Sequence, residues 1–300
     1  MFKNITIYRI APDWAADLAD AEARIQARTF APCTPAQVVS AGWVPPRNEG
    51  STLIESIDGH WHARLRIEVK KIPPSVVNAR AEELAAAIER QVGRKPGKKQ
   101  MKELKEQAFH ELLPAAFPKR STVGVWIDVK ARRLVIDASA AGAIDEALTL
   151  LCQALPGFAA FPLNTNLSPA TVMADWLVSG EPPAAFTVDG DAELKADDGE
   201  KPTVRYMRHQ LDTDEVREHI QKGKRPTKLS ATFADRVSFT LTDAGQVKKL
   251  KFLDGVFEDR QAKKGENFDA DAAIMTGELT ALIGALVDAM GGEAEAVAWA

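Results

Sequence analysis

The chain has 300 residues, 45% of them apolar and 27% charged, which excludes wholesale disorder and provides a sizeable core for one large domain or two to three ordinary ones. No run of eighteen apolar residues occurs, and the opening MFKNITIYRI alternates instead of pairing a basic segment with a greasy one, so a cytoplasmic protein without a membrane span is expected. Its formal net charge is −4, and its two cysteines, Cys33 and Cys152, lie far apart without metal or redox spacing, so both are read as buried thiols and no metal is expected.

In chain order, the first ten residues read as a strand through Phe2, Ile5, Ile7 and Ile10. A helix follows from Trp14 to Phe30, with Asp13 as its cap and Asp17 in its first turn. GWVPPRNEG, Gly42 to Gly50, reads as a Pro-rich turn, because Pro45 and Pro46 fix φ and donate nothing to a ladder. Strands Ser51 to Ile57 and Trp61 to Ile72 flank Asp58-Gly59, a strong hairpin signal. After Pro73-Pro74 a helix runs to Val92 with a stripe of Val77, Ala81, Leu84, Ile88 and Val92, and stops at Gly93. A second helix from Lys98 to Leu113 makes a helical hairpin with it.

The strands TVGVWIDV and RLVIDAS come next, separated by Lys130 to Arg132. Ala143 to Leu155 is helical, FPLN is a short strand, and Thr171 to Val178 is a further helix. The Gly- and acid-rich stretch from Ala185 to Lys201 reads as surface loops and strands, and Val204 to Gln210 as an exposed strand. A helix spans Thr213 to Gln221, Lys228 to Phe252 is a two-stranded unit turning at Asp243-Ala244-Gly245, and the last helix spans Ala270 to Met290. Without internal repeats, the whole is α+β with mainly antiparallel sheets, packed helices and a projecting helical hairpin. The organisation expected is an N-terminal α+β part (1–73), a basic helical hairpin (74–120), a central α+β part (121–184) and a C-terminal α+β part with a second basic patch (185–300).

Charge is segregated along the chain. Nine Lys or Arg face three Glu from Arg90 to Arg120, twelve basic residues face six acidic ones from Lys201 to Lys251, and the remainder carries −16. In the second helix of the hairpin Lys98, Lys102 and Lys105 are four and three apart, so they line one flank of the apolar stripe Met101, Leu104, Ala108 and Leu112, with Phe109 continuing the row. Lys98 and Lys99 sit in the first turn, where the macrodipole disfavours cations by some tenths of a kcal/mol, so local stability does not explain them. A solvated helix face is the plain alternative.

The second region weighs against that alternative: Arg205, Arg208, His209 and Gln210 surround Tyr206, and Lys222, Lys224, Arg225 and Lys228 follow. Cations interleaved with an aromatic ring suit a polyanion with stackable bases. VKKLK, Val247 to Lys251, extends the patch in sequence.

Other chemistry finds weaker footing. His60 and His62 point to one strand face but lack companions at metal-ligand spacing. The phosphate-loop, dinucleotide and nucleophile-elbow signatures are missing, so no cofactor is expected. The acidic clusters DGDAEL and ENFDADA leave a Mg²⁺-dependent nuclease as one alternative, and an adaptor that binds an acidic protein through the same lysines as another.

The opening FKNITIYR, the PC and GWVPP blocks, the basic helix ending LLPAAF, VWID, TKL and the closing FDADAAIMTGEL follow one another in an order that resembles the recombination-associated RdgC family, from Phe2 to about Leu286. The resemblance implies a nucleoid-associated cytoplasmic protein without enzymatic activity that binds double- and single-stranded DNA with little sequence preference. It implies a homodimer closed into a ring around duplex DNA, and antagonism of the RecA recombinase. It places Phe117 of LLPAAF at a dimer contact and RYMRHQ in a projecting DNA-contacting element, with Arg208 and His209 where the family often has lysines. The expected DNA-binding set is Lys95, Lys98, Lys99, Lys102, Lys105, Arg205, Arg208, His209, Gln210, Lys222, Lys224, Arg225 and Lys228. Pro96-Gly97 departs from a continuous helix at the start of the basic segment.

Overall fold

In the computed structural model, which describes residues 1–47, 50–196, 202–257 and 268–294, β1 (Thr6–Ile10) leads into α1 (Leu18–Ile25). The helix starts later than its pattern suggests, because Asp17 and not Asp13 is the cap: its carboxylate accepts the Ala19 and Asp20 amides. GWV is not a turn but the end of β2 (Val39–Val44), and the Pro45-Pro46 pair lies just past that strand. β3 (Ile54–Ile57) and β4 (His60–Lys70) meet through Asp58 and Gly59, with φ of +49° and +82°, the left-handed pair that a two-residue hairpin turn requires.

From β4 the chain enters α2 (Pro74–Val92), whose end is set by Gly93 at φ +75°. Gly97 then begins α3 (Lys98–Leu112), so Pro96-Gly97 belongs to the link between two helices and leaves α3 unkinked. A 3₁₀ turn at Leu113–Ala115 passes the chain to β5 (Pro118–Asp128), which pairs along its whole length with β4. The helical hairpin is thus an insertion between two neighbouring antiparallel strands. β6 (Arg133–Ile136), α4 (Ala141–Ala154), β7 (Ala160–Pro162) and α5 (Pro169–Ser179) follow.

The C-terminal third departs further from the sequence reading. The acid-rich stretch from Ala185 is an eleven-residue strand, β8 (Phe186–Ala196), in the interior of a sheet. β9 (Thr203–Tyr206) ends four residues earlier than expected, and α6 (Asp214–Gln221) is capped by the Thr213 hydroxyl. The expected two-stranded unit is three strands, β10 (Lys224–Phe233), β11 (Val237–Thr242) and β12 (Val247–Phe252). Ala234 and Asp235, both with positive φ, supply the turn that the sequence pattern did not reveal. α7 (Phe268–Ala289) closes the described chain.

Among the described residues the seven α-helices pack on two antiparallel sheets, one of seven strands (β2-β4-β5-β6-β1-β7, with β3 also on β4) and one of five (β12-β11-β10-β8-β9). One face of the larger sheet is covered by α1 and α4 around Trp43, Leu65, Leu134 and Leu151. Its other face shares a core with α5, α7 and the inner face of the smaller sheet. α7 is long and apolar enough to cross a membrane, with a mean hydropathy of 1.5, yet Leu279, Leu282, Ile283 and Leu286 are buried in that core. Two backbone hydrogen bonds, from Ile5 N–H to Val247 O at 2.8 Å and from Val247 N–H to Ile5 O at 3.0 Å, tie the sheets together. Cys33 is half-buried and Cys152 is exposed, so neither is the fully buried thiol expected.

Candidate nucleic-acid interface

The helical hairpin has a small core of its own, Ala81, Leu104 and Ala108, with Val77, Leu84, Ile88 and Met101 packed around it. Val92, assigned to that stripe by its spacing, is 61% exposed at the far end. Arg80 crosses between the helices to Glu111 at 2.9 Å. With α3 fixed by its apolar side, helical geometry sends Lys98, Lys102 and Lys105 to one exposed flank. Phe109 continues the row but is half-buried, its ring edge-on to His110 at 5.8 Å. Lys95, Lys98, Lys99 and Lys105 make no ion pair among the described residues, and Lys102 only reaches Glu106 at 4.0 Å. At about 1.5 Å per residue the nineteen residues of α2 carry Arg94 to Lys99 roughly 28 Å from the strand that bears them.

The second basic region is built otherwise. Alternation along β8 puts Phe186, Ala192 and Leu194 into the core and Glu193 on the outer face. In register, Glu193 faces Arg205 of β9 on one side and Lys228 of β10 on the other. Its carboxylate accepts from Arg205 Nε at 2.6 Å, Lys228 Nζ at 3.0 Å and the Thr227 hydroxyl at 2.8 Å. Burial opposes its ionisation, but the hydrogen bonds from Lys228, Thr227 and Arg205 outweigh burial and hold its pKa down to about 2.

Among neighbouring members of the expected set, the side chains of Lys222, Lys224 and His209 are engaged as well, and Arg208 through its backbone amide. Lys222 reaches Glu218 at 2.5 Å and Lys224 the His219 ring at 3.0 Å. Arg225 is exposed on β10. Arg208, with φ of +52°, gives its amide to Asp191, and the His209 amide bonds Gly190 O at 2.9 Å. A Cβ at Gly190 would meet the His209 backbone at 3.0 Å, which is why this strand carries a glycine where the loop crosses it. The His209 ring turns to Gln210 O at 2.6 Å. Tyr206 is not an exposed stacking ring: it is 7% exposed, with its hydroxyl on Glu215 at 3.1 Å. Met207, 77% exposed, takes the outward position.

The acidic clusters fare similarly. Asp189 holds the Thr232 hydroxyl at 3.1 Å, with burial raising its pKa, while Asp191 holds the Arg208 amide. Glu266 and Asn267 of the second cluster lie outside the described residues, and Asp269 pairs with Arg47 at 2.8 Å. Among the described residues no three His, Cys, Asp or Glu are grouped to hold a metal ion. His62 is 4% exposed between β5 and Phe268, and burial lowers its pKa to about 4, so it is neutral near pH 7. Phe117 stands immediately before β5, 91% exposed.

Sequence reasoning missed Glu193, whose partners lie 12 and 35 residues away, and Arg120, whose guanidinium is taken by the buried Glu68 at 2.6 Å. Strand alternation in β8 was the available signal for the first.

The family described as "Putative exonuclease, RdgC" matches residues 1–293. The recombination-associated protein RdgC of Dechloromonas aromatica is 42% identical over 298 residues, covering 97% of this chain and 98% of its own. Its counterpart in Cupriavidus necator is 42% identical, with 98% and 99% covered. That of Bordetella pertussis is 41% identical, with 97% and 98% covered.

Proposed function

The chain belongs to the RdgC family of recombination-associated proteins, and on that premise we propose that it binds DNA without sequence preference, through the exposed lysines of α3. The observation that carries this reading is the row Lys98, Lys102 and Lys105, fixed by the hairpin core and scarcely neutralised, beside the equally exposed Lys95 and Lys99. Such cations release condensed counterions when they meet phosphates, which gives affinity without base readout. Macrodipole repulsion in the first turn of α3 makes Lys98 and Lys99 costly to the helix, and an anionic partner offsets that cost.

In this reading the working form is a homodimeric ring around duplex DNA, located at the nucleoid in the cytoplasm, that limits RecA by occupying DNA and also binds single strands. The 91% exposure of Phe117 supports its assignment to the dimer contact, because a fully exposed Phe beside the root of the hairpin leaves apolar area for a second copy to cover. The protein acts here without catalysis. The nuclease that the family description names has less support, since Glu55, Glu68 and Glu193 each hold a guanidinium. An adaptor for an acidic protein is favoured by no particular contact.

Gel shifts on random-sequence duplexes of increasing length, at low and moderate salt, test the reading together with sedimentation at several concentrations. The expected results are length-dependent shifts that weaken steeply with salt, and a dimer that Phe117→Asp dissociates. Absence of any shift at low salt would overturn DNA binding, and a concentration-independent monomer would overturn the ring. Cleavage of labelled DNA with Mg²⁺ would replace the reading by a nuclease.

A further inference from the structure

Arg205 and Lys228 lie on the outer face of the five-stranded sheet, 70% and 46% exposed, on either side of Glu193, which is only 14% exposed. The carboxylate sits low between them while their charged ends remain open to solvent. Around them Asp191, Met207, Ser230, Thr240 and Lys249 complete an open cleft of about 220 Å³, in which the formal charges of Asp191 and Lys249 cancel. The three charges sum to +1 where sequence counting gives two cations, and the strand registers, not flexible loops, hold them together.

We propose that Glu193 is a resident anion that competes with DNA phosphate for Arg205 and Lys228, so that this sheet face attenuates DNA binding in the free protein. The inference rests on the DNA-binding reading above and deepens it. A backbone phosphate offers the same geometry as the carboxylate, two or more oxygens for a guanidinium and an ammonium. To bind here it must share or displace hydrogen bonds of 2.6 and 3.0 Å that already exist. The cleft is therefore a weak phosphate site, one that favours release and movement along DNA over tight retention. Because the Glu193 carboxyl stays ionised far below neutral pH, the competition persists across the physiological range.

Glu193→Gln separates competition from positioning. The amide keeps the shape, and its oxygen can still accept from Thr227 or Lys228, but the negative charge is gone. With a random-sequence duplex in about 0.1 M salt, the variant is expected to bind several-fold to about tenfold tighter, with log Kd against log salt steeper by about one to two units. The dependence on Glu193 is checked by Lys228→Gln. In the native background it should change Kd less than about twofold, and in the Glu193→Gln background it should remove most of the gain, a coupling that independent sites do not show.

Unchanged or weaker binding by Glu193→Gln, with a native circular dichroism spectrum, would overturn the competition and make Glu193 a positioning residue. Equal losses from Lys228→Gln in both backgrounds would overturn it too. If neither the native protein nor the variant binds duplex at low salt, the DNA reading itself falls and this inference with it. Binding by the native protein with no gain in the variant refutes the inference alone.

Discussion

The segment from Arg90 to Arg120 and that from Lys201 to Lys251 carry the same formal surplus of +6, yet they hold it in opposite ways. The hairpin spreads its cations along a helix flank with carboxylates at or beyond 4.0 Å from Lys102 and no ion partner for Lys98, Lys99 or Lys105 among the described residues. The sheet face sets each of its foremost cations against a carboxylate in the neighbouring strand. Charge counted in sequence measures what a region contains, and charge left after pairing measures what it offers a partner. The two also differ in support, a core of three buried side chains under the hairpin against the large shared core under the sheet.

The largest expected effect comes from reversing the scarcely neutralised row. Lys98→Glu, Lys102→Glu and Lys105→Glu together should weaken duplex binding on the order of a hundredfold or more at about 0.1 M salt, equally for all sequences. Gel shifts check this, and an unchanged Kd would remove α3 from the DNA track.

Next is the difference in support. Leu104→Ala should cost the hairpin about 2–4 kcal/mol of local stability, because the mini-core has few other contacts to close the cavity. Hydrogen exchange should then speed up in α2 and α3 while β10 and β11 stay protected. Equal loss of protection in both regions would break the separation between them.

A smaller effect concerns acid. The Glu193 carboxyl titrates near 2 in the folded state against an ordinary 4.5, so its ionised form stabilises the fold fully above about pH 4.5 and loses that contribution as pH falls toward 2. Thermal melts should therefore fall more steeply over that window in the native protein than in Glu193→Gln. Substituting the α3 lysines by Gln should leave the acid limb unchanged, and parallel melts of the native protein and Glu193→Gln would deny the pairing.

Smallest of all, Lys222→Gln should alter DNA affinity less than about twofold, since this exposed lysine is already matched one helical turn away by Glu218.

Much of the frame was legible in the sequence because short-range chemistry sets it. Asp58-Gly59 fixed the hairpin turn, Gly93 the end of α2, and the three-four spacing of Met101, Leu104 and Ala108 the buried side of α3. The stretch that forms β8 reads as a mixture of surface loops and strands because Asp189, Gly190 and Asp191 have low strand propensity. Its alternation becomes compelling only when the strands on both sides are known. The lysine row was visible for the same local reason as the helix that carries it. The neutralisation of Arg205 and Lys228 was not visible, because it depends on two cross-strand registers. Asp17 took the cap from Asp13 through one carboxylate geometry that spacing alone cannot rank.

The most direct test of the central claim, that unpaired hairpin cations and not paired sheet cations carry DNA binding, is the salt dependence of Kd for a random-sequence duplex. Lys98→Gln, Lys102→Gln and Lys105→Gln combined should make the slope of log Kd against log salt shallower by about three units, and Arg205→Gln with Lys228→Gln by less than about one. Equal reductions, or a larger one from the sheet pair, would contradict the account.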